Sequence, residues 1–137
     1  MWISLLAGKY GETKTAVIAA VDRAMLALVK HAYNQVIFSR DCVNEIASTH
    51  KNPRVKQFII EHTMVPFVQG ISGEKDLLGN IFKAIKDKLV QMVLKDTSAC
   101  CRDAAVTLLV TFKTIIPENA SVEEAITALP KYRISEI

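Results

Sequence analysis

An all-α fold is expected of this chain: an α-solenoid of about three helical hairpins with a short C-terminal helix. Three observations lead there. Apolar residues recur at spacings of three and four through most of the sequence, which is the mark of one buried helix face. Glycine and proline are sparse, five and four in 137 residues, too few for a turn-rich β fold or a disordered chain. A short motif with a basic residue recurs where one helical pattern ends and the next begins, and recurrence at a fixed interval marks a repeat architecture.

The elements follow in order. Residues 15–31 form a first helix, with Val17, Val21, Ala24, Met25 and Leu28 on one face. Residues 34–47 form a second, its apolar side Val36, Ile37, Cys42, Val43 and Ile46, with Arg40 and Asp41 outward. Ser48 to Asn52 is a turn, and Pro53 suits the first turn of the third helix, where its missing N–H costs nothing. That helix spans 53–69 with Val55, Ile59, Ile60 and Met64 inward, and Pro66 should kink or end it. Gly70 to Gly73 is a loop. A long fourth helix covers 74–94, burying Leu77, Leu78, Ile81, Phe82, Ile85, Leu89, Met92 and Val93 and exposing Lys83, Lys86, Asp87 and Lys88. Asp96, Thr97 and Ser98 all suit an N-cap. A fifth helix over 99–116 packs Cys101, Ala105, Leu108, Leu109 and Phe112 until Pro117 stops it. Val106, Thr107, Val110 and Thr111 lower its helix propensity, yet the apolar spacing still favours helix. Ser121 followed by Glu124 reads as a capping box for a short helix ending at 129. Residues 131–137 add a last amphipathic turn. The chain is one domain, 1–137, with repeats at 1–32, 33–70 and 74–117 and a cap at 118–137.

Composition narrows the function. Half the residues are hydrophobic, enough for a sizeable core, and the net charge is only +3. A nucleic-acid binder shows a stronger basic stripe than that. The three cysteines include an adjacent pair, Cys100 and Cys101, and have no metal spacing, so a reduced intracellular chain without metal or cofactor is expected. No apolar run reaches the ~20 residues that span a bilayer. His31, His50 and His62 are scattered, without catalytic or metal spacing to a Cys or carboxylate. His31 and His62 read as helix-surface residues. Cys100, Cys101 and the five phenylalanines read as core. No nucleotide, zinc-protease or hydrolase motif is present. A binding protein is expected rather than an enzyme.

The recurring motif carries the most information. Lys51-Asn52-Pro53-Arg54-Val55-Lys56 is echoed by Asp96-Thr97-Ser98-Ala99-Cys100-Cys101-Arg102-Asp103-Ala104. A weaker copy is Gly11-Glu12-Thr13-Lys14-Thr15-Ala16-Val17-Ile18. The copies lie roughly 38 and 46 residues apart, in or near the interval of two-helix HEAT-type repeats. Together these segments resemble the later HEAT repeats of a TOG domain, the module of microtubule polymerases and related microtubule plus-end proteins. The family favours a KNP-x-V-[KR] loop, then a D-[ST]-x-P-x-V-R-[DE]-A-A loop. Leu129-Pro130-Lys131-Tyr132-Arg133-Ile134-Ser135-Glu136-Ile137 resembles its closing segment. Ala99 stands where the family has proline, Cys101 where it has valine, and Trp2 does not fall at the family's tubulin-contacting Trp. A full TOG domain also has more repeats than the roughly three here.

The resemblance implies HEAT hairpins whose loops form one edge that lies against acidic tubulin. It implies a place in the cytoplasm, on the microtubule cytoskeleton. Carried over by position, Lys14, Lys51, Asn52, Arg54, Lys56, Lys95 and Arg102 are the contact candidates, with Lys56 and Arg102 matching the family's basic position best. Each has a second role open to it. Lys51 and Arg54 could be solvated turn charges, Asn52 a helix cap, and Arg102 a structural partner of Asp96 or Asp103. A HEAT/armadillo-type scaffold for a non-tubulin protein remains the alternative. The apolar start, Met1 to Leu6, also leaves a partner or self-contact open there, because a terminal repeat normally needs a polar cap.

Overall fold

Helix follows the apolar spacing throughout, and where the spacing changes the helix changes with it. A computed structural model gives the architecture and describes residues 8–11, 14–31 and 35–130. Among the described residues there are six helices, one 3₁₀ turn at Lys9–Gly11 and no strand. α1 is Thr15–His31. α2 begins as an α-helix over Gln35–Arg40 and continues as a π-helix over Asp41–Ala47. α3 is α-helical over Pro53–Phe58, π-helical over Ile59–Met64 and α-helical again over Val65–Gly70. α4 is Lys75–Lys95, α5 Ala99–Ile115 and α6 Ala120–Thr127.

The two π segments have a cause in the sequence. α2 buries Phe38, Ser39, Cys42, Val43, Ile46 and Ala47, pairs of neighbours repeating every fourth residue. α3 does the same from Val55 through Ile59, Thr63 and Phe67, with Ile60, Met64 and Val68 beside them. At 3.6 residues per turn such a pattern drifts about 40° around the helix at each step. Loosening to i→i+5 bonds returns it to the core side. α4 and α5 mix spacings of three and four and stay regular α-helices.

The π segment also answers for Pro66, which does not end α3 as expected. In the widened turn the N–H of Val65 reaches back to the carbonyl of Ile60. The proline sits in the first turn of the α-helical stretch that follows, a position that tolerates its ring and missing N–H.

The expected capping box is corrected as well. Asn119 caps α6, its side-chain oxygen accepting from the N–H groups of Ser121 (2.9 Å) and Val122 (3.2 Å), so Ser121 lies inside the helix. In α5 the hydroxyls of Thr107 and Thr111 bond the carbonyls four residues back, which satisfies polar groups on an otherwise apolar helix.

α2 packs on α3 and on α4, α3 packs on α5, and α4 pairs with α5 and carries α6. α1 lies against the π segment of α3. Edge-to-face pairs Phe82–Phe112 (4.9 Å between centroids) and Phe38–Phe67 (5.8 Å) lie within the core. Each buried phenylalanine of this kind contributes about 2–3 kcal/mol by apolar burial. Among the expected core residues Ile37 and Cys100 are exposed, and Val17, Ala24, Val36, Phe58 and Leu77 are half-buried. No helix among the described residues is long and apolar enough to cross a membrane. The apolar start at 1–7 and the closing segment 131–137 lie outside the described residues, as do the side chains of Leu28 and His31.

Candidate loop-edge site

The three motif copies precede α1, α3 and α5, so packing those helices side by side brings their leading loops together. The bonds between loops are specific. Arg54, in the first turn of α3, donates from Nε to the carbonyl of Tyr10 at 3.2 Å, and its guanidinium stands 4.7 Å from the Phe58 ring centroid. The contact is close: a Cβ placed on Gly11 would lie 2.9 Å from Asn52 Nδ2. From the third loop, the Cys101 thiol donates to the carbonyl of Pro53 at 3.3 Å. Burial pushes that thiol above its ordinary pKa, so it stays a protonated donor.

The strongest link is ionic. Lys56 Nζ meets Asp96 Oδ2 at 2.5 Å, with the lysine side chain 12% and the aspartate side chain 3% exposed. The other Asp96 oxygen, Oδ1, accepts from the N–H of Ser98 at 3.0 Å. Arg102 closes the same loop by donating from Nη1 to the Asp96 carbonyl at 2.6 Å. The two residues that best match the family's basic position are therefore turned to holding loops. Arg102 does pair with residue 96, though with its backbone rather than its carboxylate.

The remaining candidates are all exposed and divide by whether the side chain is engaged. Asn52 caps α3, its Oδ1 accepting from the Arg54 N–H at 2.9 Å, while its own N–H donates to His50 Nδ1 at 3.0 Å. Lys14, Lys51 and Lys95 are exposed. Among the described residues none of the three forms an ion pair, so their charge is available to a partner. Glu12 and Thr13 of the weak copy are outside the described residues.

One cluster had no signal in the sequence. Tyr10 is fully buried and donates its phenol to Asp22 Oδ1 at 2.7 Å. Its single proton is thereby used, so Thr63 donates to the phenol oxygen at 3.0 Å. Asp22 Oδ2 lies 3.2 Å from His62 Nδ1, and the imidazole centroid lies 4.6 Å from that of Phe58, the rings tilted by 48°. Burial, and then the Asp22 carboxylate, hold the Tyr10 phenol well above its usual pKa. The cluster bolts the first loop to α1 and α3. His62 is thus half-buried and engaged rather than a plain surface residue. Its four members come from three elements, and no spacing along the chain connects them.

Among the described residues no group of three or more His, Cys, Asp or Glu could hold a metal ion. No family model, curated protein or solved structure matches this chain.

Proposed function

We propose that this chain is a TOG-like HEAT module that binds tubulin along its basic loop edge and acts in microtubule dynamics, in the cytoplasm on the microtubule cytoskeleton. It works by binding rather than by catalysis and needs no cofactor. One observation carries the proposal: three successive motif loops are bonded into a row by Arg54–Tyr10, Cys101–Pro53 and Lys56–Asp96. Support also comes from the packing of α1 on α3 and α3 on α5, the contact order of stacked hairpins in a HEAT-type solenoid. Lys14, Lys51 and Lys95 project from that row. Lysines on a rim speed the encounter with an acidic surface and fix its register more than they add affinity.

Gel filtration of the folded chain with free tubulin tests this. A complex is expected at low salt, weakened as salt screens the rim charges. Lys14→Glu with Lys51→Glu should weaken it roughly tenfold, at about 0.7 kcal/mol for each reversed charge. Absence of a complex with a correctly folded chain would refute tubulin binding.

A scaffold for a non-tubulin protein is favoured by a different feature. A cavity of about 690 Å³ runs along α1, lined by Val17, Ala20, Val21 and Ala24 with Lys9 and Lys14 at its margin. Lys14 borders both this cavity and the row of loops, whereas Lys51 belongs to the row alone, so a partner held on α1 would tolerate Lys51→Glu that tubulin would not.

A further inference from the structure

Beside the third loop lies a second, polar cavity of about 250 Å³. Met92 and the Lys56–Asp96 pair line its inner part, and Lys88, Gln91 and Lys95 line one wall. The three wall residues are exposed and fall at i, i+3 and i+7 on α4, so they form one stripe along the helix. We propose that this cavity is a docking site for an acidic peptide segment of a protein partner, with carboxylates held by Lys88 and Lys95. The inference deepens the loop-edge proposal and rests on it in taking the partner to be an acidic protein.

Charge accounts for the sign of the ligand. Both oxygens of Asp96 are engaged, one by Lys56 and one by the Ser98 N–H, so the only carboxylate lining the cavity is neutralised. Lys88 and Lys95 have no ion pair among the described residues. Asp87 precedes Lys88 and stands about 100° from it around the helix; it lines the adjacent cavity with Lys86 and Glu124, on the other side of Gln91. Two unspent ammonium groups remain at the mouth. At ~30 Å³ per water the cavity has room for about eight waters, hence for a carboxylate side chain and part of its hydration.

Chemistry and spacing favour a peptide. The Gln91 amide offers both a donor and an acceptor, which suits a peptide backbone, whereas an inorganic anion uses only donors. No aromatic residue lines the cavity, so it lacks the stacking platform of a single-stranded nucleic-acid site. Seven residues of helix set Lys88 and Lys95 about 10 Å apart along the axis. An extended peptide covers that distance in about three residues, so acids two to four positions apart can meet both lysines.

The test uses the full chain and a fluorescein-labelled peptide of about ten residues, with glutamates spaced to span that ~10 Å, followed by fluorescence anisotropy. Lys88→Glu with Lys95→Glu should weaken binding about tenfold. Lys75→Glu with Lys83→Glu, an equal charge change at exposed lysines elsewhere on α4, should weaken it by less than about threefold. Gln91→Ala should weaken it without changing its salt dependence. Equal losses in the two charge variants, or displacement by inorganic phosphate as effective as by unlabelled peptide, would overturn the assignment. Tubulin binding that survives Lys88→Glu, at a lysine outside the loop edge, would remove the cavity's role and leave the loop edge standing. Peptide binding by a chain that ignores tubulin would keep the cavity and refute the tubulin proposal.

Discussion

Lys56→Met should unfold the protein more easily, whereas Lys56→Met with Asp96→Asn, which leaves no bare carboxylate in the cavity, should leave an acidic partner's affinity for the folded state nearly unchanged. Methionine keeps most of the aliphatic stem and removes the ammonium. Asp96, with its side chain 3% exposed, then carries a buried carboxylate whose ion pair is gone. Removing one member of a buried pair costs about 3–5 kcal/mol. Asp96 keeps its bond from the Ser98 N–H, so the cost falls at or just below the bottom of that range, about 2–3 kcal/mol. For a chain of this size that is a fall of roughly 10 °C in Tm. Asp96→Asn should cost less, about 1 kcal/mol, because Lys56 lies nearer solvent and can turn its ammonium outward. The double variant, Lys56→Met with Asp96→Asn, removes both charges and keeps an oxygen to accept from Ser98. It should therefore be more stable than Lys56→Met alone. Urea titrations of the four proteins give the coupling energy directly. A cost below about 0.5 kcal/mol for Lys56→Met, together with partner binding lost in the double variant as well, would refute the assignment of Lys56 to the scaffold.

Other consequences follow from single contacts. Tyr10→Phe should cost about 1–2 kcal/mol at neutral pH by removing the phenol's bonds to Asp22 and Thr63. Burial raises the folded-state pKa of Tyr10, so above about pH 10 the unfolded chain releases the proton first. Wild-type stability then falls where that of the Phe variant does not, and urea titrations should show the gap closing. A thiol reagent at about pH 8 should label exposed Cys100 quickly and the buried Cys42 and Cys101 only on unfolding, because burial raises both of their thiol pKa values and withholds the thiolate. Mass spectrometry of the labelled chain reads this out. Asn119→Ala should cost about 1 kcal/mol in thermal unfolding, against less than about 0.5 kcal/mol for Ser121→Ala, since Asn119 is the cap.

Helix existence was legible in the sequence because one physical cause, the spacing of apolar residues, controls it at every element. The regular stretches α4 and α5 show this: their mixed spacings of three and four end within a residue or two of the observed limits. The π segments went unread, although Phe38, Cys42 and Ile46, like Ile59, Thr63 and Phe67, recur at a strict four. That pattern is hidden unless buried polar residues such as Ser39 and Thr63 are counted with the apolar ones. The cap of α6 was misread because Ser121 and Glu124 satisfy a local rule that Asn119, two residues earlier, satisfies better. Long-range pairs were not legible. Lys56 and Asp96 are 40 residues apart, and Tyr10 and Thr63 53 apart; nothing short-range links their identities.

The likeness among the motif copies and the charge available to a partner separate in this structure. A basic residue recurs at Lys56 and Arg102 because a loop carrying polar backbone must be tied to its neighbour, and a long cation reaching a carboxylate or a carbonyl does so. The same requirement holds whatever the edge binds. On the proposed function, binding falls to lysines outside those bonds, at Lys14, Lys51, Lys88 and Lys95, where substitution costs little stability. A change of partner would therefore be expected to alter these exposed lysines first and to leave the Lys56–Asp96 and Arg102–Asp96 contacts intact. Grafting acidic residues at the four exposed positions should reverse the sign of the preferred peptide without loss of the fold. Loss of the fold under that grafting would mean that the outward lysines also belong to the scaffold.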